Sequence, residues 1–365
     1  MLKDAGLVCD AVWSDFDGDG WQDLVLTGEW MPVTFLKNQK GVFKNVYDYP
    51  NISRKAGWWT SIVPGDFDND GDIDYVVGNL GLNSFYRASN QYPVRIYAKD
   101  FNNDGNFDAI PTVYLPTSQE DTDRVEYPVH TRDDIAKQMI SFRSKYRDYK
   151  SYATTPFQKM LTPEEMKGAL KLQANDFANS YIRNDGDGKF TLSALPPATQ
   201  YSCLNGMLAE DFDGDGNLDL LAVGNDYGTE TSVGRYDACN GLYLKGDGKG
   251  NFFKTPILQS GWFVPGNAKA LVKLRDASGK CIVVASQNKG PLKAFEWKRR
   301  TRVIPLLPED ATAILLFKDG RKQRRELYYG ASFLSQSGRF LNVDSAVMSV
   351  VILDYKGHRR VPSLQ

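Results

Sequence analysis

Histidine is nearly missing from this chain, with only His130 and His358 in 365 residues. A Ser-His-Asp triad or a histidine-rich metal centre needs a better supply, so neither leads the reading. His130, in Tyr127-Pro-Val-His-Thr-Arg132, could face a cleft, although packing or capping explains it more simply, and His358 belongs to a basic, solvated tail. Cysteine is also scarce. Cys9, Cys203, Cys239 and Cys281 show no CxxC spacing, which argues against zinc or dithiol chemistry. They read as buried thiols; an oxidising compartment would allow one pair to be bridged, with partners that the sequence does not assign.

No apolar run reaches the roughly 18 residues of a membrane span, and the opening Met-Leu-Lys-Asp-Ala-Gly-Leu-Val has no h-region of an export signal. A formal charge of -1 supplies no basic field for nucleic acid. The short basic runs Lys298-Arg299-Arg300 and Arg321 to Arg325 read as solvated surface. The GxxxxGK[ST] phosphate loop is lacking as well, and Gly224-Asn-Asp-Tyr-Gly-Thr229 reads as a connection between strands and not as a ligand cradle.

Glycine, proline and aromatic residues are plentiful, at 32 Gly, 17 Pro and 12% Phe, Trp and Tyr. With 42% hydrophobic residues, this composition fits many short strands joined by tight turns, a mostly β fold. One motif recurs four times. It runs Asp15-Phe-Asp17-Gly-Asp19-Gly-Trp21-Gln-Asp23, then Asp66-Phe-Asp68-Asn-Asp70-Gly-Asp72-Ile-Asp74, Asp100-Phe-Asn102-Asn-Asp104-Gly-Asn106-Phe-Asp108 and Asp211-Phe-Asp213-Gly-Asp215-Gly-Asn217-Leu-Asp219. Oxygen-bearing side chains fall at loop positions one, three, five and nine. Such a loop suits Ca²⁺, which takes six to eight oxygen ligands, and the carbonyl at position seven, from Trp21, Asp72, Asn106 or Asn217, can add another.

The closing acid is at position nine and not twelve, and a strand follows (Leu24-Val-Leu, Tyr75-Val-Val, Leu220-Leu-Ala-Val), so these are not EF-hands. Plain Asp/Gly turns are the ordinary alternative. Turns need one or two such residues, however, whereas three or more carboxylates in nine residues repel one another unless a cation neutralises them. The third loop is the weakest site, because Asn102 replaces an acid.

With their flanking strands and the turns Leu36-Lys-Asn-Gln-Lys-Gly-Val-Phe43 and Leu244-Lys-Gly-Asp-Gly-Lys-Gly-Asn-Phe252, the loops resemble FG-GAP/VCBS repeats over about residues 8–297. The resemblance implies blades of an integrin-α-like β-propeller and Ca²⁺ ligation by the loop residues. Ala331-Ser-Phe-Leu-Ser-Gln-Ser-Gly-Arg339 is similar to the ASPIC/UnbV module of cartilage-acidic-protein-like and large bacterial surface proteins.

The expected organisation is therefore propeller blades over 1–300 and a small β-rich module over 301–365. The loops start 51, 34 and 111 residues apart, and the wide gap holds a helical insertion at about 131–178, marked by Thr131 before Asp133-Asp134 and the capping box Thr162-Pro-Glu-Glu165. Asn267 to Trp297 reads as a degenerate blade without a loop. The chain begins close to the first loop, inside a blade, so upstream blades of a longer chain are expected.

The leading functional expectation is a calcium-binding module for extracellular or cell-envelope adhesion to a glycan or protein ligand, and not an enzyme. That location comes from the resemblance. Trp30, Trp58, Trp59, Tyr86 and Tyr227, near strand ends, could form a binding rim or fill the spaces between blades. The alternatives are a polysaccharide-cleaving enzyme, for which Glu29, Glu210 and Glu230 offer carboxylates outside the loops without a spacing that selects two, or a calcium-rigidified spacer.

Overall fold

The computed structural model describes residues 2–45, 50–118, 123–230, 233–299, 301–330 and 332–364. Arg300 of the first basic run and Ala331 of the C-terminal motif lie outside the described residues. The chain separates into two compact units, one of residues 1–84 with 178–365 and one of residues 85–177.

The first sheet orders β1 (Leu7–Ser14), β2 (Asp23–Met31), β3 (Thr34–Gln39) and β4 (Val42–Asn45) antiparallel, with β5 (Gly57–Trp58) pairing β2. Strand β1 runs ahead of the loop at Asp15, in the short stretch from which the sequence reading starts the chain inside a blade. β6 (Ser61–Gly65) and β7 (Asp74–Gly78) begin the second sheet.

The chain then enters the separate unit, whose sheet has the order β10 (Arg124–Pro128), β9 (Asp108–Pro116), β8 (Val94–Lys99), β11 (Leu170–Ala174). Its helices lie where the caps predict. Thr131 caps Arg132–Gln138 and accepts from the Asp134 amide, while Thr162 and Glu165 form a reciprocal capping box with Pro163 in the first turn. Ile110, Ile135, Met139, Phe142, Phe157 and Met160 form this unit's own core. The unit is wider than the helical stretch and includes the third Asp loop, between β8 and β9.

The second sheet resumes with β12 (Ser180–Asn184) and β13 (Phe190–Ala194), in the order β13-β12-β7-β6. The third sheet is β14 (Leu204–Glu210), β15 (Asp219–Gly224), β16 (Leu242–Gly246) and β17 (Phe252–Thr255); the fourth is β18 (Ala268–Arg275), β19 (Cys281–Gln287) and β20 (Lys293–Glu296). After these, β21 (Arg302–Pro305) pairs β24 (Phe340–Val343), and β22 (Asp310–Phe317), β23 (Lys322–Glu326), β25 (Val347–Asp354) and β26 (Arg359–Arg360) form a sheet in the order β23-β22-β25-β26. Among the described residues no sheet closes on itself.

Successive sheets pack face to face. Val12, Val25 and Phe35 of the first meet Ile62, Tyr75, Val77 and Ile182 of the second. Val63, Val76 and Tyr181 on the second sheet's other face meet Leu204, Met207, Leu220 and Leu244 of the third. Leu208, Leu221 and Val223 then meet Leu271, Val283 and Ala285 of the fourth. Strands between two neighbours lose the alternation of a half-exposed sheet, and β7 and β15 are buried at every residue. Each fully buried Val or Leu contributes about 1.5–3 kcal/mol. At Gly78 a Cβ would lie 2.3 Å from the Leu204 carbonyl oxygen of the next sheet, so close backbone approach requires glycine there.

Candidate metal centre

All four Asp loops close with the same hydrogen bonds. The amide at position five donates to the side chain at position three: Asp19 to Asp17, Asp70 to Asp68, Asp104 to Asn102 and Asp215 to Asp213. The amide at position seven donates to position five at 2.9 Å in each loop, from Trp21, Asp72, Asn106 and Asn217. Positions four and six have positive φ throughout, which is why Gly or Asn occupies the former and Gly the latter. The repeated sequence builds one repeated turn.

In three of the loops the position-nine aspartate ties the loop to its sheet. Asp23 Oδ1 accepts from the Asn38 amide at 2.7 Å, Asp74 Oδ1 from Asn184 at 2.8 Å and Asp219 Oδ1 from Gly246 at 3.0 Å. Asp74, Asp108 and Asp219 also accept from the phenylalanine amide at position two of their own loops.

Three clusters bring carboxylate oxygens within 4.8 Å of one another: Asp15, Asp17 and Asp19; Asp66, Asp68 and Asp70; and Asp211, Asp213 and Asp219. In the first two, the leading aspartate is almost fully buried, 8% exposed for Asp15 and 0% for Asp66, and in each one oxygen, Oδ1, has no hydrogen-bond partner among the described residues. Asp23 Oδ2 is left in the same way. An unpaired buried carboxylate oxygen is costly, and a hard cation is the ligand that would satisfy it.

The third loop, in the separate unit, forms no such cluster among the described residues. There the Asn102 amide donates to Asp104 Oδ2 and to the Gln138 carbonyl, both at 3.0 Å, which internally occupies the space between positions three and five.

Electrostatics agree with crowded acids. Burial, the largest cause in each case, pushes the Asp74 carboxyl up to about 8, Asp23 and Asp219 to about 7, and Asp66, Asp68 and Asp211 to about 6. Neighbouring loop carboxylates add to the rise at Asp23, Asp68, Asp74 and Asp219. Two loops carry an internal counter-charge. Lys37 on β3 contacts Asp17 and reaches Asp19 Oδ2 at 2.9 Å; Lys245 on β16 contacts Asp213 and reaches Asp215 Oδ2 at 3.0 Å. At the corresponding place on β12, Arg183 turns instead to Asp185, at 2.6 Å.

The basic run Arg321 to Arg325 is solvated surface only in part, a correction to the sequence reading: Lys322 is exposed, but Arg324 and Arg325 are not. Arg324 donates to Asp15 Oδ2 at 3.1 Å and Arg325 to Glu210 at 3.2 Å, with both side chains at most one-fifth exposed. Arg299 likewise holds Asp344 at 3.1 Å and the Asp211 carbonyl at 3.3 Å. Both the arginines and the acidic loops are visible in the sequence, but their juxtaposition comes from the fold.

Among the aromatic candidates, Trp59 is fully buried in the core, and Trp30 and Trp58 pack edge to face at 5.1 Å. Tyr86 packs against Phe85 and Phe177, and Tyr227 lies beneath Arg235. The cysteines are free thiols, three of them buried. Gln138 Nε2 lies 3.4 Å from His130 Nδ1, to which it donates, and exposed His358 faces Asp354 at 2.8 Å. No helix among the described residues is long and apolar enough to cross a membrane.

The separate unit carries a hollow of about 810 Å³ that sequence reasoning did not find, lined by Tyr127, Tyr149, Tyr152, Arg132 and Lys159 among others. Tyr149 is 61% exposed, with the Arg132 guanidinium 5.3 Å from its ring centre.

The FG-GAP-like repeat family matches residues 15–77, from the first Asp loop through the second and into β7. None of the curated proteins compared with the chain matches it. Among solved structures, the crystal structure of the V. cholerae biofilm matrix protein Bap1 is similar at 13% identity, covering 100% of this chain and 50% of that one, with a TM-score of 0.24. This chain thus spans half the length of that one, and the score is too low to equate their folds.

Proposed function

We propose that this chain is a calcium-ordered binding module of the extracellular space or cell envelope, with propeller-type blades, engaging a glycan or protein ligand without turning it over. The observation that carries the calcium reading is the pair of buried, unpartnered oxygens, Asp15 Oδ1 and Asp66 Oδ1, inside clusters of three carboxylates. Asp15, Asp17, Asp19 and the Trp21 carbonyl would hold one ion, and Asp66, Asp68, Asp70 and the Asp72 carbonyl a second. Asp211, Asp213, Asp215, the Asn217 carbonyl and Asp219 would hold a third, with Asp23 and Asp74 closing the first two loops. Bound Ca²⁺ would neutralise the carboxylates and order the turns.

The repeat match at residues 15–77 and the face-to-face stacking of four successive sheets support blades of a propeller. The repeat family and the availability of Ca²⁺ outside cells, where module affinities of about 10⁻⁴–10⁻³ M suffice, support the location. On this reading the C-terminal residues 301–365 would be an ASPIC/UnbV-like module. A non-enzymatic role is favoured because Glu210, one of the carboxylates outside the loops, is engaged in ion pairs with Lys273 and Arg325. For a ligand, the tyrosine-lined hollow offers ring faces and two cations, which suit a sugar carrying acidic groups.

Glycan-array binding of the full chain with and without Ca²⁺, repeated with Tyr149→Ala, tests the reading. Calcium-supported binding lost in the variant upholds it, stabilisation by Ca²⁺ with no ligand indicates a spacer, and turnover of polysaccharide indicates the enzyme.

A further inference from the structure

Strand β23 pairs with β22 through Thr312↔Glu326 to Leu316↔Lys322, and its groups also reach three of the Asp loops. At the first loop, Glu326 Oε1 accepts the Asp15 amide at 2.9 Å while Arg324 donates to Asp15 Oδ2. At the second, the Arg324 amide donates to Asp66 Oδ2 at 3.1 Å, and Gln323 Nε2 donates to Asn69 Oδ1 at 3.0 Å. At the loop starting with Asp211, Gln323 donates to the Gly216 carbonyl at 3.4 Å, and Arg321, immediately before the strand, donates to Asn217 Oδ1 at 3.0 Å and the Asp215 carbonyl at 3.2 Å. One short strand reads the conformation of all three turns.

The division of labour within two carboxylates is the telling feature. Asp15 and Asp66 each give Oδ2 to β23, while Oδ1 of each is buried without a partner and belongs to a cluster of three acids. A cation and the strand therefore use different oxygens of the same groups and do not displace one another. The Arg324 charge is also shared with Glu326 Oε1 at 3.3 Å, so the seat does not present an uncompensated positive charge to an incoming ion.

We propose that β23 is a latch for the C-terminal segment whose closure is coupled to cation binding in the Asp15 and Asp66 loops. The ion fixes the planes of the two carboxylates and the loop groups that β23 contacts; removal of the ion lets the loops relax and frees the strand. By linkage, the seated strand must tighten ion binding by the factor with which the ion tightens the seat.

This rests on the reading that the loops bind calcium, and the test separates the two. On the full chain, calorimetry measures Ca²⁺ binding, and hydrogen exchange follows the amides of residues 321–328 with Ca²⁺ and with chelator. The latch predicts protection of these amides rising about tenfold with Ca²⁺, within the usual range for coupled sites. It also predicts that Gln323→Met, which removes the strand's neutral contacts to Asn69 Oδ1 and the Gly216 carbonyl without changing charge, weakens Ca²⁺ binding by about the same factor, whereas Lys322→Ala at an exposed residue of the strand leaves binding within about twofold. Ca²⁺ binding with unchanged protection, or equal effects of the two variants, would overturn the latch and leave the calcium reading standing. Absence of Ca²⁺ binding would overturn both.

Discussion

Arg324 and Asp15 are 309 residues apart in sequence, yet the guanidinium donates to Asp15 Oδ2 at 3.1 Å while Oδ1 of that carboxylate is buried and unpartnered. A carboxylate in that state is half satisfied. The expectations below follow from what would complete it and its counterparts in the other loops.

Asp66→Asn keeps the shape of the side chain but removes a charge from the second cluster. At about 100-fold excess over the dissociation constant, one bound ion stabilises the folded state by about 2.7 kcal/mol. The variant should lose most of that increment, seen as a smaller Ca²⁺-dependent rise in Tm, and in chelator at neutral pH it should be the more stable chain, because no buried carboxyl raised to about 6 has to ionise there.

Acidification should oppose calcium. The Asp74 carboxyl is raised from 3.8 to about 8, and Asp23, Asp219, Asp66, Asp68 and Asp211 are raised to between about 6 and about 7, so the ion-free fold holds protons that the unfolded chain has released. The ion-free chain should therefore lose stability as pH rises from about 4 to about 8, and added Ca²⁺ should restore progressively more over that window. Urea unfolding at pH 5 and pH 8, with chelator or Ca²⁺, measures both trends.

Lys37 occupies the first loop as a tethered counter-ion between Asp17 and Asp19. Lys37→Met should raise Ca²⁺ affinity at that loop by about tenfold, or about 1.4 kcal/mol, and lower stability in chelator, because the acids lose their internal partner. Calorimetry and thermal unfolding should show these opposite signs together.

The loop at Asp100 should not add to the ion count in the natural chain, since the Asn102 amide already bridges Asp104 and the Gln138 carbonyl. Asn102→Asp supplies the missing acid. The stoichiometry should rise by one, provided by a weak site, as calorimetry on the full chain would detect.

The local turns were legible in the sequence because position-specific chemistry repeats: the glycines and asparagines with positive φ, the aspartates at one, three, five and nine, and the caps at Thr131 and Thr162 all occupy the expected places. The strands after the loops were legible too, since Leu24, Tyr75 and Leu220 begin buried runs. What the sequence did not reveal depends on long-range contact. Arg324 is an ordinary surface arginine until the fold places Asp15 and Asp66 beside it, and Trp59 resembles a rim aromatic until neighbouring sheets bury it. The hollow around Tyr149 joins residues from strands and helices that no spacing rule connects.

The central claim is most directly tested by calorimetric titration of the chelator-treated full chain with Ca²⁺, using Mg²⁺ as a control. The account predicts saturable Ca²⁺ binding at three sites, accompanied by a rise in Tm, with Mg²⁺ much weaker because it demands a tighter octahedral shell than these flexible loops offer. No heat of binding and no shift in Tm would contradict it, leaving the Asp loops as turns neutralised by side chains such as Lys37, Lys245, Arg299 and Arg324.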